Sequence, residues 1–134
     1  MTVIFLDLDD FKQLNGTKGH DAGDAALQAA AKALLSTLRA NDWVARLGGD
    51  EFAVLLPEIG YEEAVEAGHK ISVAVNKALH DFLPVRGSIG IAWFGRVDCT
   101  FSAMLKAADE LMYEAKASGK NNIRSQSFHG GQAG

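Results

Sequence analysis

Residues 43–56 read WVARLGGDEFAVLL, two short apolar runs separated by a pair of glycines and a pair of acids. The flanking runs, 43–47 and 52–56, have the aromatic and β-branched content that is typical of strands. The glycine pair can adopt the positive φ angles that a tight turn between antiparallel strands requires. This stretch therefore predicts a β-hairpin that carries Asp50 and Glu51 at its turn.

The rest of the chain alternates between strand-like and helix-like stretches. The helical period of Ala, Leu and Ile predicts helices over residues 21 or 22 to 39, 61 to about 81, and 101–116. Apolar β-branched runs predict strands over 2–8 and 85–94, with a short edge strand at 121–124. The order β, α, β, β, α, β, α, β predicts an α+β fold, a ferredoxin-like, palm-type sandwich whose central mixed sheet is flanked by helices.

The chain has the length of a single domain, 134 residues. We expect residues 1–124 to form that domain. Residues 125–134 contain Ser and Gly and no apolar periodicity, so they are expected to be a disordered tail.

Composition excludes several classes of protein. The hydrophobic fraction of 48% and the charged fraction of 22% are ordinary for a globular protein and argue against disorder. A net charge of -4 leaves no basic surface for nucleic acid. The first apolar run, 3–6, is too short to be a signal peptide or a membrane span, and Cys99 has no second cysteine to pair with. We therefore expect a cytoplasmic protein without a nucleic-acid or membrane partner.

Acidic residues cluster where the first predicted strand ends. Asp7 and Asp9 are two residues apart, so their side chains point to the same side of a strand. By itself an acidic strand end is more often a solvated cap than a metal site. If the first three strands are neighbours, however, Asp7 and Asp50 converge and form the paired carboxylates that hold metal ions in nucleotidyl transfer.

Several short motifs along almost the whole chain resemble one known family. Residues 47–52, Leu-Gly-Gly-Asp-Glu-Phe, spell the signature of the GGDEF family, whose intact members are diguanylate cyclases. The other similar motifs occur in the same order as in the family: 5–12 (FLDLDDFK), Asn15, Gly19-His20, Gly23-Asp24, 88–90 (SIG), Ala108-Asp109, Tyr113 and 115–121 (AKASGKN).

This resemblance implies a magnesium-dependent or manganese-dependent active site that condenses two GTP molecules into cyclic di-GMP. Asp7 and Asp50 correspond to metal ligands, together with the backbone carbonyl of Leu8. Glu51 corresponds to a residue that helps to bind the second metal or activates the attacking 3′-hydroxyl. Because one domain holds one GTP, the resemblance also implies that turnover requires a homodimer.

The resemblance implies further contacts with the substrate. Asn15 and Asp24 correspond to the residues that read guanine, an amide and a carboxylate that suit the edge of that base. The glycines of the turn allow the nucleotide to approach the backbone closely. These glycines are Gly48 and Gly49. Three lysines resemble phosphate contacts of the family, although each taken singly would be a solvated surface charge: Lys12, Lys116 and Lys120.

A second site is implied for the product, cyclic di-GMP. Arg39 and Asp42 resemble the Arg-x-x-Asp inhibitory motif that precedes the signature by five residues, and Lys70 falls where a further basic contact is expected. The alternative is structural, since an arginine near a helix C-terminus and an aspartate at a turn are both common.

The chain departs from the family pattern at three points. It begins at the first strand, without the helix that usually precedes it, so an upstream sensor domain and that helix are not visible in this sequence. Lys120 stands where arginine is usual and cannot make a bidentate phosphate contact, and Gly16 stands where aspartate is common.

There are two alternatives to an active cyclase. One is a GGDEF module that binds GTP or cyclic di-GMP without turnover. The other is a palm-type enzyme that uses a different nucleotide, which Asn15 and Asp24 disfavour.

Overall fold

The computed structural model describes residues 1–128, which form a five-stranded mixed sheet with helices on both faces. The elements are β1 (Thr2–Asp9), α1 (Phe11–Lys18), α2 (His20–Thr37), β2 (Trp43–Gly48), β3 (Glu51–Leu56), α3 (Tyr61–Ala78), a 3-10 turn (His80–Phe82), β4 (Arg86–Phe94), α4 (Phe101–Ala117) and β5 (Ile123–Phe128). The strand order is β2-β3-β1-β4-β5, with β5 parallel to β4 and the other neighbours antiparallel. The predicted α+β class, mixed sheet and hairpin are confirmed.

The central strand β1 is buried on both faces, which explains its continuous apolar sequence. Its side chains alternate between two hydrophobic clusters. Ile4 and Leu6 belong to the cluster under α1, α2 and α3, whereas Val3 and Phe5 belong to the cluster under α4.

Among residues 1–128, no helix is long and apolar enough to cross a membrane.

The first helical region differs from the prediction. The helix predicted from residue 21 or 22 to 39 is present as α2, which spans His20–Thr37. A second, shorter helix, α1 (Phe11–Lys18), precedes it where the sequence predicts none. Helix α1 is short and contains Gly16, so its helical propensity is weak. Only Phe11 and Leu14, three residues apart, are buried from α1, and this tertiary contact stabilises the helix.

The C-terminal strand also differs. Residues 125–128, predicted as part of a disordered tail, continue β5 as far as Phe128, and 129–134 lie outside the described residues. Pairing with β4 provides the backbone hydrogen bonds, from Ile89 opposite Ile123 to Phe94 opposite Phe128. The Phe94 and Phe128 rings stack with centroids 5.1 Å apart. The polar sequence of β5 does not predict a strand this long, because the strand is stabilised by its pairing with β4 and not by a local pattern of apolar residues.

Two glycines differ sharply in their surroundings. Gly90 on β4 faces α4 so closely that a Cβ there would meet backbone atoms of Ala108, Leu111 and Met112. At Gly16 on α1, a Cβ would have nothing within 4 Å. Helix α4 can therefore pack on the sheet only because residue 90 has no side chain.

We expect Gly90→Ala and Gly16→Ala to change stability in opposite directions. Gly90→Ala should lower the free energy of unfolding by about 3 kcal/mol, because backbone of α4 must move. Gly16→Ala should raise it by about 0.5–1 kcal/mol, because alanine restricts the unfolded chain and favours helix. Urea denaturation of both variants checks this, and a well-tolerated Gly90→Ala would contradict the described packing of α4.

Candidate functional site

The strand order brings the predicted acidic residues together. Because β1 lies between β3 and β4, Asp7 is paired directly with Glu51 in the antiparallel register. The backbone N–H of Leu8 donates to the carbonyl of Asp50 at 3.1 Å. The hairpin turn therefore lies against the C-terminal end of β1, as the sequence predicts if these strands are neighbours. The side chain of Leu8 is buried in the core, so only its backbone is available to this site.

An arginine that the sequence analysis did not single out holds the glycine turn. Arg46 donates from Nε to the Gly48 carbonyl at 3.2 Å and from Nη2 to the Gly49 carbonyl at 2.9 Å. The pairing of β2 and β3 shifts register between Arg46 and Gly48. The fork of the guanidinium thus bridges the irregular backbone that leads to Asp50. A basic residue two positions before a glycine pair is the signal that could have indicated it.

Negative charge is concentrated at this strand end. Burial and, to a smaller extent, repulsion from Asp50 raise the pKa of Asp7 to about 6, although Lys116 opposes the shift. Burial also raises the pKa of Glu51, with added repulsion from Asp50 and from Asp109 on α4. These carboxyl groups hold protons more tightly than usual, which is the behaviour expected where a cation is favoured.

The donor set fits a hard divalent cation that also binds phosphate. Asp7 Oδ1 is buried without a hydrogen-bond partner among residues 1–128, so an oxygen ligand is left over. Within the same residues, no three His, Cys, Asp or Glu side chains are arranged to hold a metal ion by themselves. Mg²⁺ typically takes only one or two carboxylates and completes its shell with water and substrate phosphates. The residues therefore suit a cation that arrives together with a nucleotide.

Lys116, near the C-terminus of α4, reaches the same strand end. Its Nζ lies 3.2 Å from Asp7 Oδ2 and 3.5 Å from Asp9 Oδ1. Burial lowers the pKa of Lys116, but the charges and hydrogen bonds of Asp7 and Asp9 outweigh this and raise it overall. Asp7 and Asp9 thus point to the same side, as predicted, and Lys116 is the positive charge between them.

The other two predicted phosphate lysines lie at different places around this end. Lys120 Nζ is 2.7 Å from Asp10 Oδ1, so its ammonium is paired with an acid in the turn between β1 and α1. Lys12 is exposed in the first turn of α1. The structure therefore brings Lys116 to the end of β1 from the last turn of α4, and Lys120 from the loop between α4 and β5.

The predicted guanine readers lie where α1 meets α2. The side chain of Asn15 lies so close to Gly23 that a Cβ at residue 23 would overlap its amide. Asn15 Oδ1 is buried without a hydrogen-bond partner in the described part of the chain. Asp24 is exposed and follows Gly23 directly. The two helices thus bring Asn15 and Asp24 to one corner, and the glycine between them makes room for the amide.

The three residues of the predicted product site line one cavity of about 210 Å³ between the end of α2 and the face of α3. Arg39, Asp42 and Lys70 all border it, with Glu63 and Glu66 of α3 on its rim. Asp42 Oδ2 accepts from the Arg39 N–H at 2.8 Å and lies 3.6 Å from Arg39 Nε. The Arg39 side chain is 62% exposed. Asp42 therefore stabilises this turn, while the Arg39 side chain remains largely exposed beside the cavity.

Asp7 should make the metal-free protein less stable at neutral pH than in mild acid. Its folded pKa of about 6 lies above the ordinary 3.8, so the folded state binds more protons and the free energy of unfolding falls as pH rises between these values. Asp7→Asn should remove this loss and be more stable than the wild type by about 2–3 kcal/mol at about pH 7.5. Urea denaturation with a chelator present measures it.

The matched control is Asp81→Asn, the same change at an exposed aspartate in the 3-10 turn. This variant should keep the pH dependence of the wild type. An Asp7→Asn variant with an unaltered pH profile would contradict the shifted pKa.

Comparison with known proteins identifies a family. Residues 1–122 match the family described as "Diguanylate cyclase, GGDEF domain". Diguanylate cyclase DosC of Escherichia coli is 34% identical over 129 residues, which cover 92% of this chain and 28% of that protein. The chain thus spans under a third of the length of this relative.

Solved structures show the same fold. The GGDEF domain of PA1120 (YfiN or TpbB) from Pseudomonas aeruginosa superimposes with a TM-score of 0.82 at 34% identity, over 95% of this chain and 82% of that one. A microbial GGDEF domain solved for its interaction with bis-(3′,5′)-cyclic di-GMP has a TM-score of 0.74 at 28% identity, over 93% of this chain and 76% of that one. A family match over nearly the whole chain, together with these likenesses, shows that the chain belongs to the GGDEF domain family of diguanylate cyclases.

Proposed function

We propose that this domain condenses two molecules of GTP into cyclic di-GMP and releases pyrophosphate. The observation that carries the proposal is the convergence of Asp7 with the Gly48–Glu51 turn beside Lys116, in a member of the diguanylate cyclase family. All the acids of the signature are present, which favours an enzyme over a module that only binds nucleotide. Within a cell, we expect the reaction in the cytoplasm, with GTP as its substrate.

Asp7, Asp50 and Glu51, with the Leu8 carbonyl, would hold Mg²⁺ or Mn²⁺. The bound cation supplies neutralisation of the triphosphate and lowers the pKa of the attacking hydroxyl. Asp7 Oδ1, buried and without a partner among the described residues, is the oxygen that most directly supports this assignment.

The protein groups perform the rest of the reaction. For each of the two phosphodiester bonds, the 3′-oxygen of one nucleotide forms a bond to the α-phosphorus of the other, the bond from that phosphorus to the oxygen bridging to the β-phosphate breaks, and one pyrophosphate leaves. Glu51, which pairs with Asp7 across the two strands, would either help to hold the second cation or accept the proton of the 3′-hydroxyl. Lys116, Lys120 and Lys12 compensate the charge of the phosphates, while Gly48 and Gly49 let the nucleotide approach the turn.

Guanine is recognised at the corner of α1 and α2. The unpartnered Asn15 Oδ1 can accept from the base, and the exposed Asp24 can accept from its N–H groups. A site built from such groups would leave them unpaired with adenine, so GTP is preferred over ATP.

Closing the ring requires a second copy of the domain. Each chain offers one set of Asp7, Asp50 and Glu51, whereas the product contains two phosphodiester bonds. Two domains therefore face each other as a homodimer, each holding one GTP.

Asp50→Ala should abolish synthesis of cyclic di-GMP while leaving the fold intact, because an acid at a hairpin turn contributes little to the core. The measurement is the release of pyrophosphate and cyclic di-GMP from GTP and Mg²⁺, with circular dichroism to verify folding. Asp81→Ala, a change at an exposed turn acid, is the matched control and should keep the wild-type rate.

The outcomes separate the two candidate functions. Cyclic di-GMP production by Asp50→Ala at the wild-type rate would contradict the assignment of the active site. A wild type that binds GTP without releasing pyrophosphate would instead favour the module that binds nucleotide without turnover.

Product inhibition is the regulatory part of the proposal. A guanidinium fork and a nearby carboxylate suit a guanine edge or a phosphate. The cavity brings Arg39, Asp42 and Lys70 together, and Asp42 Oδ1 is buried there without a partner in the described part of the chain.

Arg39→Ala should weaken binding of cyclic di-GMP by about tenfold or more and relieve inhibition, because two charge-assisted hydrogen bonds are lost. Calorimetry with cyclic di-GMP, and initial rates with added product, measure the two effects. Arg96→Ala, in the exposed loop after β4, is the control. Unchanged product binding in Arg39→Ala would leave Arg39 and Asp42 as a helix end only.

A further inference from the structure

Asp9 is a buried acid to which none of the roles above is assigned. It is only 1% exposed. Ser88 Oγ lies 2.7 Å and 2.9 Å from its two carboxylate oxygens, and the Asn121 N–H donates to Oδ2 at 2.9 Å. Lys116 Nζ lies 3.5 Å from Oδ1. A buried carboxylate with this many donors is held in one position.

The loop that Asp9 contacts has an unusual backbone. The φ angles of Gly119, Lys120 and Asn121 are 116°, 62° and 43°. Three successive residues therefore have positive φ, which residues other than glycine rarely adopt. Such a conformation persists only where surrounding contacts over-determine it.

Two sets of contacts provide that support. Asp9 accepts from the Asn121 backbone, and Asn76 of α3 donates to Asn121 Oδ1 at 3.0 Å. Asn76 Oδ1 in turn accepts from the Gly87 N–H at 3.1 Å. The loop is thus tied to β1 directly and to β4 through α3.

The loop and the helical turn before it carry two of the lysines that are assigned to the phosphates. Lys116 precedes the loop in the last turn of α4, and Lys120 lies within it. Both ammonium groups lie at the end of β1, where they contact Asp7, Asp9 and Asp10. A change in the loop backbone would move the lysines relative to the acids.

We propose that Asp9 is a positioning residue for the triphosphate, which holds the segment 116–121 so that Lys116 and Lys120 face the phosphates of the nucleotide. The inference rests on the proposed function, because it assumes that the site takes GTP. Asp9 does not take a metal in this proposal, since both of its oxygens are already engaged by Ser88 and Asn121.

Asp9→Asn tests the idea, because it removes the charge and keeps the size. The probes are 3′-deoxy-GTP, which lacks the attacking hydroxyl and cannot turn over, and GMP, which lacks the β- and γ-phosphates. Asp9→Asn should weaken 3′-deoxy-GTP binding by about tenfold and GMP binding by less than about twofold, since a charge-assisted contact is lost only from the triphosphate. Calorimetry with Mg²⁺ measures both.

A double-mutant cycle with Lys116→Ala shows whether the effect passes through that lysine. In the Lys116→Ala background, Asp9→Asn should weaken 3′-deoxy-GTP by less than about threefold, because the effects of coupled residues are not additive. Equal losses for 3′-deoxy-GTP and GMP would indicate a purely structural role and overturn the proposal. Full additivity would overturn it as well.

Ser88→Ala keeps the test valid if Asp9→Asn does not fold. It removes one donor from Asp9 and should lower 3′-deoxy-GTP affinity by about threefold without a matching loss for GMP. Ser88→Ala with an unchanged ratio of the two affinities would overturn the proposal. Asp81→Asn is the matched control and should keep both affinities.

The failures of the two proposals are distinguishable. A wild type that does not bind 3′-deoxy-GTP with Mg²⁺ would refute the proposed function and this inference with it. A wild type that binds it, with an Asp9→Asn variant that binds equally well, would refute the positioning role alone.

Discussion

Asp7 and Asp9 lie two residues apart at the end of a strand that is buried on both faces, and the hairpin turn brings Glu51 directly opposite Asp7. Carboxylates at this spacing repel one another, and burial strengthens the repulsion because little water screens it. Burial raises the pKa of both Asp7 and Glu51, and repulsion from Asp50 raises both further. The surrounding structure has to compensate this charge either with protons, with Lys116, or with a bound cation.

The register of β1 and β3 makes this crowding unavoidable. Side chains alternate along a strand, so a slip by one residue would turn Asp7 to the opposite face and exchange the apolar side chains of β1 between the two buried clusters. The apolar residues of β1 belong to both hydrophobic clusters, and their burial locks the register. The energy that stabilises the sheet therefore also holds the acids together, as expected where a functional site is built on a rigid scaffold.

Unpaired buried oxygens mark the three candidate sites. Within residues 1–128, the buried side-chain atoms without a hydrogen-bond partner are Thr2 Oγ1, Asp7 Oδ1, Asn15 Oδ1 and Asp42 Oδ1. A buried polar group without a partner is costly, so it is rare unless a ligand satisfies it. Asp7, Asn15 and Asp42 are the residues that the sequence assigns to the metal, the guanine and the product. For Thr2 the structure offers no such explanation.

The sequence by itself determined the fold class, the hairpin, the order of most elements and the residue types of the candidate sites. These depend on local signals: the period of apolar residues, the glycine pair before Asp50, and motifs at constant spacing. Only the tertiary structure decided that α1 is a helix, that β5 continues to Phe128, and that Arg46 holds the turn. The engagement of Asp9 by Ser88 and Asn121, 79 and 112 residues away along the chain, was likewise invisible in the sequence. Each of these features depends on partners brought together by the sheet and helices, and no local pattern of residues records which distant groups will meet.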